Sequence, residues 1–178
     1  MEARKIVKMD SSIQKNSSKR LLMDYNPSNC MSHAGKMITI SDAINSKAPT
    51  LASFKRHQSK EFTVNFVMTW LVYLNNILNL NKPMSEEQVR LCSGMIVEEF
   101  YMLKISDLTL LFKRIISGSY GEFYERLGID KILKFFRAYL EERYDEAARQ
   151  SQQVHNDRQS DDTFNFSNNM RRKHYIKK

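Results

Sequence analysis

Residues 61–80, EFTVNFVMTWLVYLNNILNL, are the most apolar segment of the chain, and their spacing restricts the fold more than any other feature. The large apolar residues recur at steps of three or four, which places them on one face of an α-helix: Phe62, Phe66, Trp70, Leu74 and Ile77. Asn65, Asn75, Asn76 and Asn79 interrupt the segment and leave fewer than about 18 clean apolar residues, so a membrane span is disfavoured. The pattern predicts the central helix of a bundle.

Three further helices follow, and each begins at a recognisable capping residue. Ser85 and Gln88 form a capping box for the first of them. Ser106 caps the second, with Asp107 in its first turn, and Asp130 caps the third, which continues to about residue 150 before it frays. The apolar faces of the three helices are Val89, Cys92, Ile96, Phe100 and Leu103; Leu108, Leu111, Phe112 and Ile115; and Ile132, Leu133, Phe136, Tyr139 and Leu140.

Pro49 opens a short first helix, so the predicted fold is all-α: a compact bundle of four main helices plus a short first helix. Five Gly and three Pro are too few for a turn-rich β-sandwich or barrel, and two Cys exclude a disulfide scaffold. The predicted organisation has three segments, since the helical periodicity is confined to the middle. They are a disordered basic extension at 1–48, a helical bundle domain at 49–148 and a disordered basic tail at 149–178.

The net charge of +8 lies outside the predicted bundle. Residues 1–48 hold 8 Lys and Arg against 4 Asp and Glu, residues 49–148 hold 13 against 13, and residues 149–178 hold 7 against 3. The last segment includes Arg171, Arg172 and Lys173, and one interpretation is an electrostatic contact with nucleic acid or an acidic partner. The alternative is that the tail only solubilises the chain. No secretory signal is recognised at the N-terminus, and Met37 is an alternative start.

The stretch GSYGEFY, residues 118–124, has two interpretations. In the first it is a tight turn between helices, in which Gly118 and Gly121 take positive φ while Tyr120 and Tyr124 pack over the turn. In the second it is an exposed corner where Tyr120 stacks on a base and nearby cations hold phosphates. Those cations are Lys113, Arg114, Lys131, Lys134 and Arg137. The same cations also fit a solvated face balanced by neighbouring Glu residues.

No catalytic, metal or cofactor site is predicted. Cys30 and His33 form one C-x-x-H pair, which is half of a tetrahedral zinc site, and Cys92 lies on an apolar helical stripe. The adjacent Glu pairs, such as Glu98 and Glu99, point about 100° apart on a helix and form no acid–base dyad. We therefore predict a binding protein and no enzyme.

Several short motifs in residues 48–148 resemble one family. They are Phe100-Tyr101-x-Leu103, Ser106-Asp107, Phe112-Lys113, Gly118-x-Tyr120-Gly121-x-x-Tyr124 and Tyr139-x-x-x-Arg143. As a set they resemble a family of small helical proteins of unknown function that phages, prophages and mobile elements of gut Bacteroidetes carry. The resemblance implies a helical fold and supplies no catalytic residues. The residues before Met37 and the tail after about Gln150 have no counterpart in it.

Two functions remain open at this point. The first is a phage or mobile-element accessory in the cytoplasm of the bacterial host, such as a DNA replication or helicase-loading adaptor that contacts protein and nucleic acid. Phage helicase loaders are also small helical domains with charged ends, which is a fold-level analogy. The second is a protein–protein interaction module, host-directed or virion-associated, that binds no nucleic acid. Neither needs a cofactor or a membrane, and the sequence indicates no oligomeric state.

Overall fold

In the computed structural model, residues 19–36, 39–121 and 127–175 are described, and this part of the chain is helical without a β-strand. Its helices are α1 (Pro27–Ser32), α2 (Ile40–Asn45), α3 (Leu51–His57), α4 (Lys60–Leu78), α5 (Glu86–Glu99), α6 (Ile105–Ile116) and α7 (Ile129–Tyr175). Residues 19–24 are also helical, and a 3₁₀ turn spans Ala34–Lys36. The all-α prediction is confirmed. No helix in the described ranges is long and apolar enough to cross a membrane.

Helix α4 contributes five buried apolar residues to the bundle: Phe66, Val67, Trp70, Leu71 and Leu74. Its hydrogen-bonded cap is Ser59, whose side chain accepts from the backbone N–H of Phe62 at 3.0 Å. Phe66, Trp70 and Leu74 are fully buried, as their spacing predicts. Ile77 departs from the prediction and is 48% exposed. Ile77 lies in the last turn of α4, where the Asn75 side chain bonds the backbone of Met84 in the following loop.

Helix α5 begins at the predicted capping box. The Ser85 side chain accepts from the Gln88 N–H at 3.3 Å, and the Gln88 side chain accepts from the Ser85 N–H at 2.9 Å. The whole predicted stripe is buried: Val89, Cys92, Ile96, Phe100 and Leu103. This agreement follows from the strictly local nature of the capping and periodicity signals.

Helix α6 starts one residue before the predicted cap. Its N-cap is Lys104, so Ser106 lies inside the first turn. Ser106 Oγ donates to the carbonyl of Ala43 in α2 at 2.9 Å, and a long-range contact therefore replaces the predicted local one. Asp130 is corrected in the same way, since α7 already begins at Ile129 and Asp130 lies in its first turn.

Aromatic rings join the main helices in one core. Trp70 of α4 meets Phe112 of α6 with ring centroids 5.0 Å apart and an edge-to-face angle of 63°. Phe136 of α7 contacts Phe112 at 6.3 Å and Phe100, at the end of α5, at 5.1 Å. Such tilted pairs add stability beyond the area they bury.

The bundle extends further towards the N-terminus than the predicted boundary at residue 49. Ala34, Ile40 and Ala43 are buried, and the last two belong to the same hydrophobic core. Thr39 and Asp42 form a capping box at the start of α2, with bonds of 3.1 and 2.9 Å. Short apolar segments of this kind become stable where they pack on α6. Residues 1–18 lie outside the described part.

Helix α7 also continues beyond its predicted end near residue 150. The chain divides into two compact units, Met1–Leu140 and Glu141–Lys178, and α7 supplies residues to both. Within the second unit, Glu146 accepts hydrogen bonds from Arg149 and Gln150. Helix propagation adds one backbone bond per residue ordered, so extending a formed helix costs less than starting one. The helical backbone of α7 ends at Tyr175.

Candidate functional site

The turn after α6 has the geometry predicted for its two glycines. Gly118 and Gly121 have φ of 76° and 97°. The N–H of Ser119 donates to the Arg114 carbonyl at 2.9 Å, and the N–H of Gly118 donates to the Ile115 carbonyl at 3.1 Å. This is the double-bonded Schellman ending, which places a left-handed residue just beyond the helix and so favours glycine there. Tyr124 lies outside the described residues.

Tyr120 packs within the bundle. Its ring stacks on Phe135 of α7, with centroids 5.5 Å apart and planes inclined by 28°. The side chain is half-buried and belongs to the set that packs against the hydrophobic core. This is the arrangement of the turn interpretation, in which the ring closes the turn. A nucleic-acid base could stack on Tyr120 only on surface that Phe135 leaves accessible.

The cations predicted to surround this turn are held by different parts of the bundle. Lys113 donates from Nζ to the carbonyl of Ala34 at 3.2 Å. The Arg114 guanidinium carbon lies 5.9 Å from the centroid of the Tyr139 ring, within cation–π range. Lys131 is half-buried and Lys134 is exposed on α7. Lys113 and Arg114 thus make separate intramolecular contacts, whereas Lys134 is exposed to solvent.

Arg137 is tied to Glu99 of α5. Its Nε and Nη2 donate to the two carboxylate oxygens at 2.7 and 2.9 Å, a bidentate fork. The hydrogen bonds and the charge of Glu99 raise the pKa of Arg137 above its ordinary value. The two side chains remain 55% and 38% exposed, so the pair orients α7 against α5 and contributes little stability. A phosphate contact at Arg137 would have to compete with this carboxylate.

Three further residues were predicted to make electrostatic contacts in the C-terminal tail: Arg171, Arg172 and Lys173. Their backbone forms part of the last turns of α7, in the second unit of the chain. Their side chains lie outside the part whose side chains the structure describes. The backbone nevertheless places three consecutive cations near the C-terminal end of a helix, where the helix dipole favours positive charge.

Sequence reasoning missed a buried polar cluster where α2, α6 and α7 meet. Asp107 is fully buried, and its two carboxylate oxygens accept from the backbone N–H of Lys104 at 2.7 Å and from the hydroxyl of Tyr139 at 2.8 Å. The ammonium of Lys104 donates to the carbonyls of Ile44 and Ser46 at 2.6 and 2.7 Å. Lys104 thereby satisfies carbonyls at the end of α2, a common role for lysine. The Asp107 position three residues after the N-cap is the local signal that was available.

Both cysteines are free thiols, Cys30 half-buried and Cys92 buried. Cys92 is buried, and burial raises the pKa of its thiol to about 12, as expected for a small core residue. Burial also raises the pKa of Cys30, which a hydrogen bond with Thr109 partly offsets. Nδ1 of His33 lies 2.9 Å from the Asn29 carbonyl. Within the described ranges, no three His, Cys, Asp or Glu residues are grouped so that they could hold a metal ion.

A family model described as "Family of unknown function (DUF6633)" matches residues 82–178, more than half of the chain. The chain belongs to this family. No curated protein and no solved structure matches it. The DUF6633 match contains α5, α6 and α7, including the Asp107–Tyr139 pair and the basic end of the chain. Its extent differs from the 48–148 resemblance, because it omits residues 48–81 and includes the tail that had no counterpart.

Proposed function

We propose that this DUF6633 protein is a binding protein that contacts nucleic acid through the basic end of α7. The observation that carries the proposal is the position of the charge. Residues 149–178 hold 7 Lys and Arg against 3 Asp and Glu, and the cations cluster at Arg171, Arg172, Lys173, Lys177 and Lys178. Clustered cations bind phosphate backbones by releasing counterions. The family match extends through these residues, so they are part of the DUF6633 region.

The contacts within the bundle favour the C-terminal end of α7, and not the turn after α6, as the site that binds nucleic acid. Tyr120 stacks on Phe135, Lys113 bonds Ala34 and Arg137 is held by Glu99. Using these side chains for nucleic acid would require breaking contacts already made. The bundle segment 49–148 also has equal numbers of positive and negative residues, so it offers no long-range attraction of its own.

In this proposal the protein is an accessory of a phage or mobile element that acts in the host cytoplasm, as an adaptor in DNA replication or helicase loading. The similarity of the motifs in residues 48–148 to proteins carried by such elements supports that setting. The role consists of binding two partners together and needs no catalytic step. The bundle would contact a protein, and α7 would contact the nucleic acid.

The experiment is a salt titration of full-length protein binding to labelled single- and double-stranded DNA, followed by fluorescence anisotropy. The variant Arg171→Gln, Arg172→Gln, Lys173→Gln should weaken binding and lower the slope of log K against log salt by about 2 to 3, since each lost phosphate contact removes about 0.7–0.9. A matched control removes three exposed cations of the bundle: Lys55→Gln, Arg56→Gln, Arg90→Gln.

The control has the same net charge as the test variant, so it separates position from total charge. We expect its slope to stay close to that of the unmodified protein. Equal losses in the two variants would contradict the assignment to α7 and indicate diffuse attraction. Absence of binding by the full-length protein at about 50 mM salt would reject the nucleic-acid function altogether.

The second candidate function is a protein–protein module without nucleic-acid binding. The observation that favours it is the exposure of large apolar side chains on α4 and α5. Leu91 is 60% exposed, and Val72 and Met95 are also exposed. Exposed apolar residues of this size are typical of protein contacts when they occur together. This candidate replaces the first if the DNA titration shows no affinity.

A further inference from the structure

Beyond its first turn, which holds the exposed Lys60 and Glu61, the outer face of α4 carries no charge. Residues 62–81 contain no Asp, Glu, Lys, Arg or His, in a chain where 27% of residues are charged. The buried side of α4 explains part of this composition, but the solvent side would ordinarily carry charge. Interface centres are depleted of charged residues, because burying an unpaired charge is costly. The exposed face of α4 thus has the composition of a contact surface.

The exposed positions of this face have a regular spacing. They are Asn65, Thr69, Val72 and Asn76 in the helix and Asn79 at its left-handed C-cap, which we name the α4 stripe. Their steps are four, three, four and three residues, the spacing by which one helix contacts another along a shared seam. Val72, the apolar member, is 46% exposed and lies at the centre. A helix is the partner structure that fits such a spacing.

We propose that the α4 stripe is a homodimer contact, occupied by α4 of a second copy of this chain in antiparallel orientation. The stripe is symmetric about Val72: a two-fold axis there pairs Val72 with itself and Asn65 with Asn79 of the second copy. The same axis places Thr69 one residue away from direct opposition to Asn76 of the second copy. An Asn side chain has both donors and an acceptor, so it complements another Asn without a charge of either sign. This inference is independent of the proposed nucleic-acid function.

Electrostatics favour a second copy over a charged partner. The stripe offers no charge to pair with, so a partner presenting Lys or Glu there would bury that charge uncompensated. Two copies avoid this penalty because both surfaces are neutral. The net charge of +8 does not prevent the approach, since residues 49–148 carry equal numbers of positive and negative residues. The two-fold contact also needs only one kind of surface.

The dimer should be weak. A helix of 19 residues is about 28 Å long, so one helix pair buries less area than a standard interface. Polar Asn at seam positions specifies register at the cost of stability. We therefore expect a concentration-dependent equilibrium with Kd of about 10 to 100 µM, and its register set by the Asn residues.

Sedimentation equilibrium of the full-length protein, between about 5 µM and 1 mM, tests the proposal. The unmodified protein should pass from monomer to dimer. Val72→Glu and Val72→Lys should each raise Kd at least about tenfold, because the two-fold axis brings like charges together. An equimolar mixture of the two variants should restore the dimer, since opposite charges then meet at the axis.

Leu91→Glu and Leu91→Lys are the matched controls, because Leu91 is an exposed apolar residue on α5, outside the stripe. They should dimerise like the unmodified protein, and thermal unfolding followed by circular dichroism should show that all four variants are folded. A monomer at every concentration would overturn the proposal. So would equal effects at Leu91 and Val72, or a Glu and Lys mixture that stays monomeric.

Discussion

Trp70 is the side chain whose replacement should affect the free energy of unfolding most. It is fully buried and contacts Phe112 edge to face, with 5.0 Å between ring centroids. Emptying such a site removes both the transfer energy of the ring and the contacts of the surrounding atoms. Trp70→Ala should therefore lower the free energy of unfolding by about 3–5 kcal/mol.

Trp70→Phe should destabilise the protein much less than Trp70→Ala, because the indole N–H makes no hydrogen bond in the described part of the chain that phenylalanine would lose. Nε1 of Trp70 is buried and has no hydrogen-bond acceptor among the residues that the structure describes. A buried donor without an acceptor costs about 1–3 kcal/mol, and phenylalanine removes that cost while keeping most of the ring. The opposing loss of volume is modest, so we expect a net destabilisation below about 1.5 kcal/mol.

Urea unfolding followed by far-UV circular dichroism measures both variants, since Trp70 is the sole tryptophan and its fluorescence disappears with it. Leu91→Ala, at an exposed apolar position of α5, is the control and should change stability by less than about 0.5 kcal/mol. If Trp70→Phe were as damaging as Trp70→Ala, Nε1 would have an acceptor and the argument would fail. A loss below about 1 kcal/mol in Trp70→Ala would mean that the ring is not part of a packed core.

Two further predictions concern the interior. Tyr139→Phe should lower the free energy of unfolding by about 1–3 kcal/mol, because buried Asp107 loses a hydrogen-bond donor; Tyr101→Phe, at a half-exposed position after α5, should have no measurable effect in the same urea experiment. The raised pKa of Cys92 means that the folded state favours the neutral thiol, so this contribution to stability is present below about pH 8.5 and is lost as the pH rises towards about 12. The unfolding midpoint of Cys92→Ala should therefore fall less steeply between about pH 9 and pH 11 than that of the unmodified protein; parallel curves would contradict the burial of the thiol.

The candidate site shows where sequence reasoning reached its limit. The positive φ of Gly118 and Gly121 followed from local chemistry, because few other residues end a helix in this way. The partner of Arg137 did not, since Glu99 lies 38 residues away and only the packing of α5 beside α7 brings the two together. The cations on either side of the turn were therefore predicted to act together, whereas in the folded protein Lys113, Arg114 and Arg137 contact Ala34, Tyr139 and Glu99, respectively.

Local signals in the sequence were enough to place the four main helices and most of their buried faces. Capping boxes and apolar stripes act over three or four residues, so Ser85, Gln88 and the stripe of α5 could be placed without any tertiary information. How far the bundle extends, and which polar groups enter it, followed from helix packing alone. Lys104 bonds carbonyls about 60 residues earlier in the chain, and Tyr139 meets Asp107 across 32 residues. Such contacts depend on how the helices pack, which no local pattern encodes, because the two partners share no spacing along the chain.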